Sequence, residues 1–151
     1  MSTTYTIEPI GPRTIDKAYA VARIAAPGVS QLEWRQVCQS YFLSRGRLDQ
    51  QQPRERIIVA VNSADYVKGL CVYTPRNHPA YGRMLDVPFL VTASAADNSA
   101  VATALLDFLQ AECKQLDASC IRFWSMDADT WVRRQDAEHI ARSDHGRITP
   151  P

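Results

Sequence analysis

The stretch from Arg83 to Ser125 constrains this chain more than any other. Arg83 to Thr92 carries Met84, Leu85, Val87, Phe89, Leu90 and Val91 and reads as a buried strand. A turn of small and polar residues follows, Ala93 to Ser99. Ala100 to Leu116 then sets Val101, Ala104, Leu105, Phe108, Leu109 and Leu116 along one helical face. Ser119 to Ser125 closes the unit as a second strand. A strand–helix–strand crossover requires its two strands to run parallel. Its turn aims backbone N–H groups and the positive helix end at one point, which suits an anion. Pro88 cannot donate to a ladder, so the first strand should bulge there and splay from its parallel neighbour.

The remaining chain can be placed around that unit. Tyr5 to Ile10 is a short strand that Pro9 confines to an edge or to its own end. Thr14 is placed to cap a helix over Ile15–Ala25. Ser30 and Glu33 form a capping box, and Trp34, Val37, Cys38 and Tyr41 give the second helix one aromatic-rich face ending near Gly46. Leu48 to Glu55 is polar and predicts a loop. Arg56 to Val61 is an unbroken apolar run, as in a strand buried on both faces, and Tyr66 to Tyr73 is its hairpin partner. Thr74 to Gly82, with two prolines, predicts a surface loop. Thr130 to Ile140 predicts a weaker helix, and residues 141–151 a polar tail with frayed last residues. Trp34, Tyr41, Leu105, Phe108 and Phe123 are expected in the core. The order β-α-α-β-β-β-α-β-α makes an α+β fold of mixed α/β layers, a twisted and mostly antiparallel sheet with helices on both faces.

Its 151 residues fit one domain spanning 1–151. A net charge of +1 offers no bulk attraction for nucleic acid or an anionic membrane. No CxxC pair occurs among Cys38, Cys71, Cys113 and Cys120, and no His stands at zinc spacing from them. They read as reduced thiols of a cytoplasmic protein with no metal site. The N-terminus lacks the basic and apolar regions of a signal peptide, and no apolar run approaches the ~20 residues that span a bilayer.

The element order, with two helices after the first strand and a late β-α-β unit, resembles the GNAT superfamily of N-acetyltransferases over roughly residues 5 to 140. In outline it is similar to a poorly characterised bacterial branch, with Trp34, Gly69-Leu70 and Gly82-Arg83 in the recurring frame. The resemblance implies transfer of an acetyl group from acetyl-CoA to an amine, carried by a small molecule or a protein. It places the family's Arg/Gln-x-x-Gly-x-Gly/Ala turn, whose amides hold the pyrophosphate, at Asp97-Asn98-Ser99-Ala100-Val101-Ala102. Ala102 matches. Ala100 stands where the family has Gly, and Asp97 where it has Arg or Gln. The Pro after the central strand and the Gly-Phe after the last helix are missing, with Ala93 and Glu138-His139 nearest. The last helix offers Trp131 where the family's acid is a Tyr.

The chemistry follows from these positions. The resemblance implies that amides of Phe89, Leu90 and Val91 at the bulge meet the thioester. Asp86 is the candidate general base, or else a strand-end carboxylate paired with Arg83 or Arg122. Ser125 is the candidate donor to the leaving thiolate. His78 and Tyr81 are candidates to line the acceptor pocket. Asp97 reads equally as a helix cap on a domain that no longer binds CoA. The second functional expectation is therefore an inactive GNAT-like domain that binds a partner or a small ligand. A short tail would leave the sheet edge after residue 125 bare, which predicts pairing with a second copy.

Overall fold

The computed structural model describes residues 4–45, 55–94, 96–124 and 146–149. Within them nine elements follow one another: β1 (Thr6–Pro9), α1 (Ile15–Ala25), α2 (Gln31–Arg45), β2 (Arg56–Val61), β3 (Val67–His78), β4 (Gly82–Thr92), α3 (Asn98–Gln115), β5 (Cys120–Trp124) and β6 (Gly146–Thr149). The strands form one sheet in the order β1-β2-β3-β4-β5-β6. Neighbours are antiparallel except β4 and β5, which are parallel. The expected α+β architecture is thus the observed one. Residues 46–54, the expected helix at 130–140 and Ser125 lie outside the described residues.

Two layers of core flank the sheet. On one face α3 lays down Val101, Leu105, Leu109 and Cys113, one residue per turn or so, against Ile58, Ala60, Cys71, Tyr73, Leu85, Val87 and Ile121. On the other face α1 and α2 bring Ala18, Val21, Ala22, Trp34 and Cys38 onto Ile57, Val59, Val61, Val67 and Leu70. Each large apolar side chain buried here stabilises by ~1.5–3 kcal/mol. β2 serves both layers, which is why its apolar run is unbroken. α3 packs tightly over Gly69, where a Cβ would stand 2.7 Å from Val101 Cγ1. Of the five expected core residues, Trp34 and Leu105 are buried. Tyr41, Phe108 and Phe123 are only partly buried, at the core margins. Trp34 gives its indole N–H to the Ile15 carbonyl at 2.8 Å. The four cysteines are buried free thiols.

The α2 capping box forms as read. Ser30 N and Oγ both donate to Glu33 Oε2 at 2.7 Å, and Glu33 N donates to Ser30 Oγ at 3.2 Å. Thr14 does not cap α1 with its side chain. Its hydroxyl instead accepts from Gly11 N at 2.9 Å, closing the turn before the helix.

Two expectations fail. The segment 74–82 is not a loop: β3 runs to His78 and β4 starts at Gly82, leaving a turn of three residues. β2 pairs β3 only as far as Tyr73, so Pro75 sits where β3 is paired on one side, a place that tolerates proline. Nor is the edge beyond β5 bare, because Gly146–Thr149 of the tail pairs antiparallel with β5 from Ile121 to Trp124. That strand satisfies the outer edge of β5. The bare edge from which pairing with a second copy was expected is therefore covered.

Candidate functional site

β4 and β5 form the parallel junction of the sheet. Among the described residues they pair from Met84↔Cys120 to Val87↔Phe123, while β4 continues to Thr92. β4 itself is irregular at this point. Its partners in β3 jump from Thr74↔Asp86 to Val72↔Phe89, so Val87 and Pro88 together oppose Tyr73. That two-against-one count is a β-bulge. It also shifts the alternation by one. Leu85 and Val87 face α3 before it, whereas Leu90 faces α3 after it and Phe89 and Val91 turn toward α1 and α2.

The ladder identifies which amides point away from β3. Ala93 N donates to Lys68 O at 2.8 Å. With the register Thr92↔Gly69 to Phe89↔Val72, the N–H groups of Phe89 and Val91 point to β3, and those of Leu90 and Thr92 point to the β5 side. Among the three strand residues expected at the thioester, the geometry favours Leu90.

The turn into α3 follows β4 directly. Val101 N donates to Asp97 O at 3.2 Å, so the helical ladder begins there. The amides of Asn98, Ser99 and Ala100 precede it and have no intrahelical acceptor. The N-cap residue, Asp97, makes no side-chain bond to them. Val101 is fully buried against the sheet, and Ala102 lies within the ladder, so the expected donor set narrows to 98–100. Asn98 turns its Oδ1 back to accept from Ser94 N at 2.9 Å, tightening the turn. Asp97 does not act as the side-chain cap that the sequence suggests. Its Oδ2 accepts instead from the Tyr5 hydroxyl at 2.9 Å, on the segment before β1. Partial burial, and then this carboxylate, raise the Tyr5 pKa above its ordinary value. Tyr5 was not singled out from the sequence, since nothing local links it to a residue 92 positions away.

Asp86 lies on the face opposite α3, and its carboxylate is fully engaged. Oδ1 accepts from Arg122 Nε at 3.0 Å and from Trp124 Nε1 at 2.7 Å. Oδ2 accepts from Arg122 Nη2 at 3.2 Å and pairs with Arg76 Nε at 3.2 Å. The Arg122 guanidinium also stands 4.7 Å from the centre of the Trp124 ring. Of the two readings of Asp86, the observed geometry is that of the ion pair with Arg122. Arg76 and Trp124 are partners the sequence did not suggest. His78 ends β3, its Nδ1 accepts from Ala80 N at 3.1 Å, and its ring lies 4.8 Å from that of Tyr81. The two expected pocket residues are thus brought together, on the turn at the far end of the β3–β4 hairpin. Among the described residues no group of three or more His, Cys, Asp or Glu could hold a metal ion, and no helix is long and apolar enough to cross a membrane.

No protein-family model and no curated protein matches the chain. Solved structures do. An aminoglycoside N-acetyltransferase in complex with CoA superposes with a TM-score of 0.68 at 10% identity, over 99% of this chain and 94% of that one. The aminoglycoside 6'-N-acetyltransferase of Acinetobacter baumannii gives 0.65 at 13% identity, over 97% and 95%. An N-acetyltransferase from Staphylococcus aureus gives 0.60 at 14% identity, over 86% and 79%. With its bulged central strand, parallel β4–β5 pair and intervening helix, the chain has the GNAT acyl-CoA N-acyltransferase fold.

Proposed function

We propose that the chain is an acetyl-CoA-dependent N-acetyltransferase acting on an amine. The observation that carries this reading is the coincidence of three features around the end of β4. β4 is bulged at Val87 and Pro88, the Leu90 N–H points away from β3, and the first amides of α3 lack intrahelical acceptors. The residues present fit the group. The orphaned amides of Asn98, Ser99 and Ala100 suit the pyrophosphate of CoA. The extra methyl of Ala100 is a small obstruction. Asp97, the serious one, is held aside by Tyr5.

Acetyl-CoA, when bound, supplies the activated thioester. The chain's part is to hold and to orient. The Leu90 N–H is placed to donate to a carbonyl oxygen on the β5 side of β4, where low dielectric strengthens the bond. The α3 amides and the helix dipole hold the anionic end. Asp86, already accepting three hydrogen bonds and paired with Arg76, is poorly placed to take a proton from the amine; it serves better by fixing Arg122 and Arg76.

Calorimetric titration with CoA and acetyl-CoA tests the reading. Binding with a dissociation constant of micromolar to tens of micromolar is expected, with acetyl-CoA consumed in the presence of amines. No heat and no thermal shift at millimolar ligand overturns it. One observation favours a second reading, a binding domain without catalysis: the carboxylate immediately before the bulge is occupied by cations. CoA binding without turnover on any amine would select that reading.

A further inference from the structure

The face of the sheet opposite α3 carries a charged cluster that acetyl transfer by itself does not require. Arg76 and Arg122 both contact the carboxylate of Asp86. The two cations differ in kind. Arg122 is nearly buried, with its side chain 13% exposed, paired in two places with Asp86 and stacked on Trp124. Arg76 is 55% exposed and spends only its Nε on Asp86, which leaves the outer fork of its guanidinium turned outward among the described residues. Asp86 thus acts as a post. It fixes the stem of the Arg76 guanidinium and presents the two terminal amino groups. A planar fork with parallel N–H groups matches a carboxylate or phosphate.

The position adds a length. Asp86 is four residues before Leu90 on β4, with the bulge at Val87 and Pro88 between, and at about 3.3 Å per residue their backbones stand roughly 10–13 Å apart. Arg76 itself stands opposite Met84, two residues farther from Leu90 along β4. An anion held by Arg76 therefore suits an amine separated from its anionic group by a flexible chain of several carbons, and not an amine adjacent to that group.

We infer that the acceptor is an ω-amine whose far end carries an oxyanion, held by Arg76 beside Asp86. This rests on the N-acetyltransferase reading above and deepens it by naming the acceptor class.

Three probes share one terminal amine and differ at the other end: lysine carries a carboxylate, aminopentyl phosphate a phosphate, and cadaverine a second amine. The first two are expected to exceed cadaverine in kcat/KM by about tenfold or more, and which of them leads identifies the oxyanion. Arg76→Gln should bring the lysine-to-cadaverine ratio toward one, and Arg76→Lys should restore part of it. Arg76 is exposed, so Arg76→Gln should melt within a few degrees of the parent chain. Calorimetry of the three probes without CoA gives a second readout, in which only the two anions should bind and Arg76→Gln should abolish that binding. Turnover that favours cadaverine, or a ratio unmoved by Arg76→Gln, overturns the inference and leaves the acetyltransferase reading standing. Absence of CoA binding removes that reading, and anion binding lost in Arg76→Gln then still supports the anion site.

Discussion

The hydroxyl of Tyr5 donates to Oδ2 of Asp97 at 2.9 Å, tying the start of the sheet to the residue that begins α3. The bond draws a negative charge away from the three leading amides of the helix. Tyr5→Phe frees that carboxylate to cap α3 in the place an anion needs. The variant should lose about 1 kcal/mol of stability, and its affinity for CoA should fall several-fold in calorimetry. Unchanged affinity would show that the bond has no bearing on the turn.

Asp97→Asn keeps the hydrogen-bond acceptor and removes the charge. CoA affinity should rise, by up to about tenfold if a screened repulsion near 1.4 kcal/mol is relieved. Added to Asp97→Asn, Tyr5→Phe should no longer weaken binding. Weaker CoA binding by Asp97→Asn alone would place the pyrophosphate elsewhere.

Asp86 and Arg122 are both nearly buried, with side chains 10% and 13% exposed. Removing the carboxylate takes two charge-assisted hydrogen bonds from a nearly buried guanidinium. Asp86→Ala should cost about 3–5 kcal/mol in urea denaturation. A stability loss below about 1 kcal/mol, with turnover abolished, would instead return Asp86 to the role of a general base.

Gly69 lies under α3, where a Cβ would also meet Leu105 Cδ1 at 3.0 Å and Ala60 Cβ at 3.2 Å. Val101 is β-branched and stiff, so the helix must shift outward to accept even one methyl. Gly69→Ala should cost about 1–3 kcal/mol, and moving the first turn of α3 should weaken CoA binding as well. A variant as stable as the parent in denaturant would show that α3 is not seated this closely.

The capping box sets a pH dependence. The Ser30 backbone N–H, and then its hydroxyl, lower the Glu33 pKa. Asp16, beside Arg35, and Asp65, beside Lys17 and Arg13, are lowered likewise. A carboxylate lowered by folding stabilises above its unfolded pKa, about 3.9 for Asp and 4.3 for Glu. That contribution disappears as pH falls through the lower folded value. The melting temperature should therefore drop as pH falls below about 4, and Glu33→Gln should flatten part of the drop. An identical pH slope in that variant would remove Glu33 from the account.

What the chain alone determined is what lies close in sequence. The α3 stripe, the Ser30–Glu33 box, the two-sided run of β2 and the bulge at Pro88 each rest on residues a few positions apart, where backbone geometry sets the neighbours. The order of those elements was enough for the fold. The site was legible only as a place. Which amide points away from β3 depends on the register of β4 against β3, and the bulge reverses that alternation, so Leu90 could not be separated from Phe89 and Val91 beforehand. Pro75 and Pro79 suggested a loop, yet only Pro79 falls in the turn, because β3 beyond Tyr73 has no second neighbour among the described residues to require a donor. Tyr5 reaches Asp97, and Arg76, Arg122 and Trp124 reach Asp86, from strands 10 to 92 residues distant. Side chains so far apart in sequence meet only through sheet order and register, so the tertiary structure alone decided that one carboxylate is drawn off the α3 turn and the other is held between two arginines.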